Sequence, residues 1–273
     1  MDNHTPTVRF ADTHLTTGVR LRYAEHGDPA GHPIILLHGY TDSWYSFSRV
    51  LPALAATYHT YALDQRGHGE SDRPMQGYTM PDFAADVVAF MDTIGLPSAT
   101  LVGHSMGSFI AQEVALAAPQ RVARLILMGA ATTARTEDLL AFQPVVDTLG
   151  DPVPAEFARD FQASTIYRPV PDDFLDRVVV ESLKLPAHVW RAALAGCLVV
   201  DYAAHLGDIQ MPTLILRGDQ DTVFSQAAQD SLVSGLARAV LKVYSETGHA
   251  IHWERPEQVV HEMKEFIAQT GPH

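Results

Sequence analysis

The chain has 273 residues, 47% hydrophobic and 19% charged, the balance of a globular protein with a buried core rather than of a disordered one. A formal net charge of -13, with only 19 Lys and Arg, argues against binding nucleic acid or an anionic membrane, because phosphate contacts need clustered cations. The one cysteine, Cys197, rules out an intrachain disulfide and reads as a small core residue.

Met1 to Phe10 is polar and lacks the apolar centre of a signal peptide. No apolar stretch approaches the roughly 20 residues of a membrane span, so a cytoplasmic protein is expected. Val19 to Tyr23 alternates like a strand. Short apolar runs follow at Pro33 to Leu37, Tyr58 to Leu63, Ala99 to Val102 and Leu125 to Met128. Such runs predict strands buried on both faces of a largely parallel sheet. Helices fall between them. Pro81 to Ile94 carries Phe83, Val87, Phe90, Met91 and Ile94 near one face, with Thr79 and Asp82 as a capping pair. Ser105 to Ala118 is a second helix, ended by Pro119.

The alternation breaks after Ala131. From Thr132 to about Asp208 the pattern is helical, interrupted at Pro144, Pro152, Pro154, Pro169, Pro171 and Pro186. Strands return at Thr213 to Leu216 and Val240 to Tyr244, and a last helix starts near Pro256. The organisation expected is an α/β core formed by residues 1–131 and 209–273, with a helical cap insertion over 132–208.

The chemistry starts at Gly103-His104-Ser105-Met106-Gly107, which fits the nucleophile-elbow pattern G-x-S-x-G. A strand precedes it and a helix follows, the context that would expose the Ser105 hydroxyl on a strained turn. A serine hydroxyl needs a base. His249 follows the strand Val240 to Tyr244, and Gly248 frees the backbone beside it, whereas His252 reads as structural. The orienting acid falls in Arg217-Gly218-Asp219-Gln220-Asp221, after the strand Thr213 to Leu216. Asp221 lies further into that loop and is freer to reach His249, while Asp219 would brace the turn. Backbone N–H groups of Tyr40 and Met106 are the candidate donors to a tetrahedral oxyanion. Trp44, Phe142, Phe161 and Trp190 are candidates for contact with substrate. Asp64 to Ser71 reads as a structural loop, and no metal-ligand spacing is present.

His38-Gly39-Tyr40, Asp64 to Asp72, Gly103 to Gly107, Gly218 to Asp221, and Gly248-His249 followed by Glu254-Arg255-Pro256 together resemble the α/β-hydrolase superfamily over nearly the whole chain. The resemblance implies an eight-stranded mostly parallel sheet, helices on both faces and a cap after the sixth strand. It also implies a Ser105, Asp221, His249 triad with Tyr40 and Met106 as oxyanion donors, and no cofactor. The members include carboxylesterases, lactonases, carbon–carbon bond hydrolases and cofactor-free haloperoxidases. Members with an aspartate nucleophile, the haloalkane dehalogenases and most epoxide hydrolases, fit less well because residue 105 is serine. The expected activity is hydrolysis of a small ester or lactone through an acyl-enzyme. The alternatives are carbon–carbon cleavage of a diketone, haloperoxidase or perhydrolase chemistry, and a small-molecule receptor that retains the triad.

Overall fold

The apolar runs of the sequence become the inner strands of one eight-stranded sheet. The computed structural model describes residues 8–271, so the reading of residues 1–7 as a polar N-terminus lies outside it. The strands are β1 (Arg9–His14), β2 (Arg20–His26), β3 (Pro33–Leu37), β4 (His59–Leu63), β5 (Ala99–His104), β6 (Val122–Met128), β7 (Thr213–Gly218) and β8 (Ala239–Tyr244). Their spatial order is β1-β2-β4-β3-β5-β6-β7-β8. β2 runs antiparallel to β1 and β4, and the remaining pairs are parallel.

The helices are α1 (Leu51–Ala55), α2 (Met80–Thr93), α3 (Met106–Ala117), α4 (Glu137–Asp147), α5 (Ala155–Ser164), α6 (Asp172–Ser182), α7 (Ala187–Leu198), α8 (Gln226–Gly235), α9 (Ile251–Glu254) and α10 (Pro256–Thr270). Side chains of the inner strands alternate between two cores, as a two-residue period requires. Ile35, Leu37, Leu101, Leu125 and Leu127 pack with Phe83 and Phe90 of α2 and Phe109 of α3. Ile34, Leu36, Val102, Ile126 and Met128 pack with Leu51 and Leu54 of α1 and Val259, Met263 and Phe266 of α10. Each such large side chain taken fully out of water stabilises the fold by about 1.5–3 kcal/mol.

α2 begins on the expected cap. The Thr79 hydroxyl accepts from the Asp82 N–H, and the Asp82 carboxylate accepts from the Thr79 N–H at 2.9 Å. β1 has no counterpart in the sequence reading. It is an edge strand with mostly exposed or half-exposed residues, so it lacks the apolar run that marks the inner strands.

α4 to α7 all lie between β6 and β7. Pro154, Pro171 and Pro186 stand at the N-caps of α5, α6 and α7. Pro144 does not interrupt the chain: it sits inside α4. The carbonyl it leaves without a helical partner belongs to Leu140, on the solvent-exposed side of that helix. Among the described residues no helix is long and apolar enough to cross a membrane.

Candidate active site

β5 ends at His104 and α3 begins at Met106, leaving Ser105 at the corner with φ 52° and ψ -118°. A non-glycine residue in that region costs about 1–3 kcal/mol and needs its surroundings to hold it there. The Ser105 N–H donates to the Met128 carbonyl of β6 at 3.0 Å, and its own carbonyl accepts from the Ser108 N–H at 2.8 Å. Strand and helix pass too closely for side chains on either flank. A Cβ on Gly107 would lie 2.0 Å from the Leu37 carbonyl oxygen, and one on Gly103 would lie 2.3 Å from that of Gly107.

His249 follows β8 in a loop and is 2% exposed. Its Nδ1 donates to Asp221 Oδ2 at 2.9 Å. An ionised carboxylate only accepts, so this contact keeps the proton on Nδ1 and leaves the Nε2 lone pair free. Nε2 has no hydrogen-bond partner among the described residues. Asp221, which follows β7, is held from several sides. Its Oδ1 accepts from the Val223 N–H at 2.8 Å and the Phe224 N–H at 3.0 Å, and its Oδ2 also accepts from Gln229 Nε2 at 3.0 Å. Burial works to raise the Asp221 carboxyl, but the His249 contact and the two backbone donors outweigh it and hold it below the usual carboxylate range. Asp219 is exposed and accepts from the Thr247 N–H at 3.4 Å, bracing the loop that leads to His249. His252 is turned elsewhere, with Nε2 3.0 Å from Ser46 Oγ and its ring against Phe47.

The loop after β3 makes a tight turn, closed by the Asp42 N–H donating to the Gly39 carbonyl at 3.3 Å. Thr41, the third residue of that turn, has φ 63°. A β-branched residue is uncommon there. Neither the Tyr40 nor the Met106 backbone N–H donates to an acceptor among the described residues. The Tyr40 side chain is pinned, its hydroxyl donating to the Trp190 carbonyl at 2.7 Å.

Asp42 itself is buried. Burial pushes its carboxyl up to about 7, against the pull of donors from Ser46 and Gln162. His104 Nδ1 lies 4.0 Å from Asp42 Oδ2, but burial also holds the imidazole well below its ordinary range, so the contact is not an ion pair.

Ser105, His249, Tyr40, Met106 and Asp42 line one cavity. Its walls are mainly apolar: Phe109, Leu139, Phe161, Leu194, Val223 and Phe224. No Lys or Arg is among its lining residues. An outer groove adjoins it, sharing Leu139, Phe161, Ser164 and Val223 and adding the acidic Asp138 and Asp160.

Of the four aromatics expected to meet substrate, only Phe161 lines the inner cavity. Phe142 lines the outer groove alone, stacked between Phe157 and Phe161. Trp190 is fully buried behind Tyr40 and Phe161, where its bulk fills the core. Trp44 packs its ring on Phe10 and Tyr45 and does not line the cavity, while its backbone N–H donates to Asp64 Oδ1. The sequence reading passed over Asp42, His104 and Gln162. Asp42 has a weak signal, a carboxylate three residues beyond Gly39, and Gln162 has none.

The loop Asp64 to Ser71 is bound into the scaffold. Asp64 accepts from the Trp44 and Glu70 N–H groups, both at 2.8 Å, and Arg66 grips Asp86 with two bonds of 2.6 Å. Among the described residues no cluster of three or more His, Cys, Asp or Glu could hold a metal ion.

Ser105, Asp221 and His249 thus follow the carboxyl ends of β5, β7 and β8, at one edge of a mostly parallel sheet. That architecture, with helices on both faces and a helical segment after β6, is the one α/β hydrolases are built on. The chain belongs to the alpha/beta hydrolase fold family, whose model matches residues 32–256. It is 29% identical to epoxide hydrolase A of Mycobacterium tuberculosis, covering 96% of this chain and 97% of that one. It is 28% identical to a 2-hydroxy-6-oxononadienedioate/2-hydroxy-6-oxononatrienedioate hydrolase of Paraburkholderia xenovorans, covering 92% of this chain and 91% of that one. A hydrolase of Pseudomonas aeruginosa shares the fold with a TM-score of 0.86 at 24% identity, covering 94% of this chain and 98% of that one.

Proposed function

We propose that the chain is a serine hydrolase of small, uncharged esters or lactones, acting through an acyl-enzyme on Ser105. One observation carries the reading. His249 Nδ1 donates a hydrogen bond to Asp221, and Nε2 has no hydrogen-bond partner among the described residues, in the cavity that Ser105 also lines.

In this mechanism Nε2 takes the Ser105 proton as Oγ attacks the carbonyl carbon. The carbonyl oxygen becomes an oxyanion held by the Tyr40 and Met106 N–H groups. Collapse breaks the ester bond, and His249 returns the proton to the departing alkoxide. A water then gives its proton to His249 and its oxygen to the acyl carbon, and a second collapse releases the acid and restores Ser105. The depressed Asp221 carboxyl stays ionised throughout and offsets the charge that His249 takes up in each transition state.

Two related chemistries have less support. The relative from Paraburkholderia is named for a dioate, a substrate with two carboxylates, whereas the cavity here is lined by a carboxylate and by no Lys or Arg. Burying two anions there without a cation would be costly. Attack on an epoxide by an aspartate has no counterpart, since residue 105 is serine.

The test is labelling by a fluorophosphonate probe alongside a panel of p-nitrophenyl esters of graded chain length and several lactones. The wild type is expected to label and to favour uncharged substrates, and Ser105→Ala to lose both properties. Unchanged labelling of Ser105→Ala, or a clear preference for dicarboxylates, would overturn the assignment.

A further inference from the structure

We propose that Gln162, a residue of the helical insertion, is a positioning residue for the turn Gly39–Asp42 that carries the Tyr40 N–H; the inference rests on the serine-hydrolase reading above. Gln162 sits in the last turn of α5 and is 1% exposed. Its Nε2 donates to Asp42 Oδ1 at 3.0 Å and to Thr41 Oγ1 at 3.2 Å. It also donates to Ser182 Oγ of α6 at 2.8 Å, which anchors the amide to the neighbouring helix. Two N–H bonds thus serve three acceptors, and two of these lie on the turn.

The turn needs such a hold. Thr41 is β-branched and has φ 63°, a conformation its own backbone disfavours. Its relaxation to negative φ would rotate the neighbouring peptides and redirect the N–H groups of the turn. Gln162 opposes this at the strained residue itself and at the residue after it. Asp42 cannot relax outward, since it is buried and its other oxygen accepts from Ser46 Oγ at 3.2 Å.

The same end of α5 also holds the loop of the base. The Thr165 carbonyl accepts from the His249 N–H at 2.9 Å and from the Ala250 N–H at 3.0 Å. Glu254 ties the two together from below, accepting from the Tyr167 and Gly248 N–H groups at Oε1 and from the Arg168 N–H at Oε2. Removing the Gln162 amide leaves these bonds in place. Its loss therefore disturbs the oxyanion turn while His249 stays seated, which is a loss felt in the transition state more than in substrate binding.

The experiment uses the full chain. Gln162→Met keeps the length of the side chain and removes its donors. Labelling by the fluorophosphonate counts working sites, and turnover of an uncharged p-nitrophenyl ester is then expressed per labelled site. Because loss of a whole oxyanion donor costs about 10²–10³-fold, a misplaced one is expected to lower kcat per site by about 10–100-fold. KM is expected to change by less than about 3-fold, because the ground state does not use the turn in the same way. The rate constant for labelling should fall in parallel, since phosphonylation passes through a similar anionic state. Adding Thr41→Gly, which removes the conformational penalty, should recover at least about 3-fold of the lost rate.

Three results would overturn the proposal: kcat per site equal to the wild type, a loss confined to the number of labelled sites, or no recovery on adding Thr41→Gly. Labelling that survives Ser105→Ala would instead sink the hydrolase reading, and this inference with it. The two failures are told apart because only the second is seen without touching Gln162.

Discussion

Replacing Asp221 by asparagine exchanges one oxygen for an NH2 group and upsets the two hydrogen bonds that Oδ2 accepts. In the native loop Oδ1 accepts from the Val223 and Phe224 N–H groups, and Oδ2 accepts from His249 Nδ1 and Gln229 Nε2. An asparagine has one acceptor oxygen, and the two backbone donors claim it. The amide NH2 then stands where Oδ2 was, facing two donors. It can be accommodated at His249 only if the imidazole moves its proton to Nε2 and presents Nδ1 as an acceptor. That tautomer has no lone pair for the Ser105 proton. The equivalent exchange in a well-studied serine protease lowers kcat about 10⁴-fold. We expect about 10³–10⁴-fold here, or about 4–5.5 kcal/mol of transition-state stabilisation. One Gln229 N–H then faces the amide without its acceptor while the bond to the Phe224 carbonyl at 2.9 Å remains, which costs the fold about 1–3 kcal/mol more. The assay is kcat on an uncharged p-nitrophenyl ester, with thermal unfolding recorded on the same sample to separate lost chemistry from lost fold. If Asp221→Asn stayed within about 10-fold of the wild type while Asp219→Asn lost more, the acid would be Asp219 and the tautomer argument would be wrong.

Further outcomes are expected for three other variants. Asp42 titrates near 3.8 when unfolded and near 7 when buried, so the folded chain holds a proton that the unfolded chain releases between those values. Its contribution to stability is therefore full below about pH 4, falls as pH rises, and is lost above about pH 7. Asp42→Asn should stabilise the fold at pH 8, by at most about 4 kcal/mol relative to its effect at pH 4, and urea unfolding at both values would reveal it. A larger stabilisation at pH 4 than at pH 8 would refute the sign. Trp190→Ala should destabilise by about 3–5 kcal/mol through loss of a buried core side chain. Phe161→Ala should instead change KM and chain-length preference, and the same unfolding and kinetic assays separate the two.

Much of the scaffold was legible because burial imposes composition. Strands β3 to β7 lie between two cores, so most of their residues are apolar and the runs stand out. β1 sits at the edge and meets no such demand. The places of Ser105, Asp221 and His249 in the fold were legible for another reason: each sits just past the end of a recognisable strand, and the local residues betray the loop. The aromatics were not. A large ring is equally at home in a wall or in the core, so the composition of the insertion could not separate Phe161 from Trp190. Gln162 was invisible, since its two partners on the turn lie 120 and 121 residues away in the chain.

The bonds that seat the end of α5 on the His249 loop also bear on how molecules come and go. Lifting the whole insertion would break the Thr165, Glu254 and Gln162 contacts together, along with the Tyr40 bond to Trp190. Leu139, Phe161 and Val223, shared by the cavity and the outer groove, offer a route with none of these bonds in the way. Rotation of such half-buried side chains is fast compared with the swing of a multi-helix body. Traffic through this doorway would then set a size limit on what enters, independent of the room inside, and release of product would not have to wait for the roof to open.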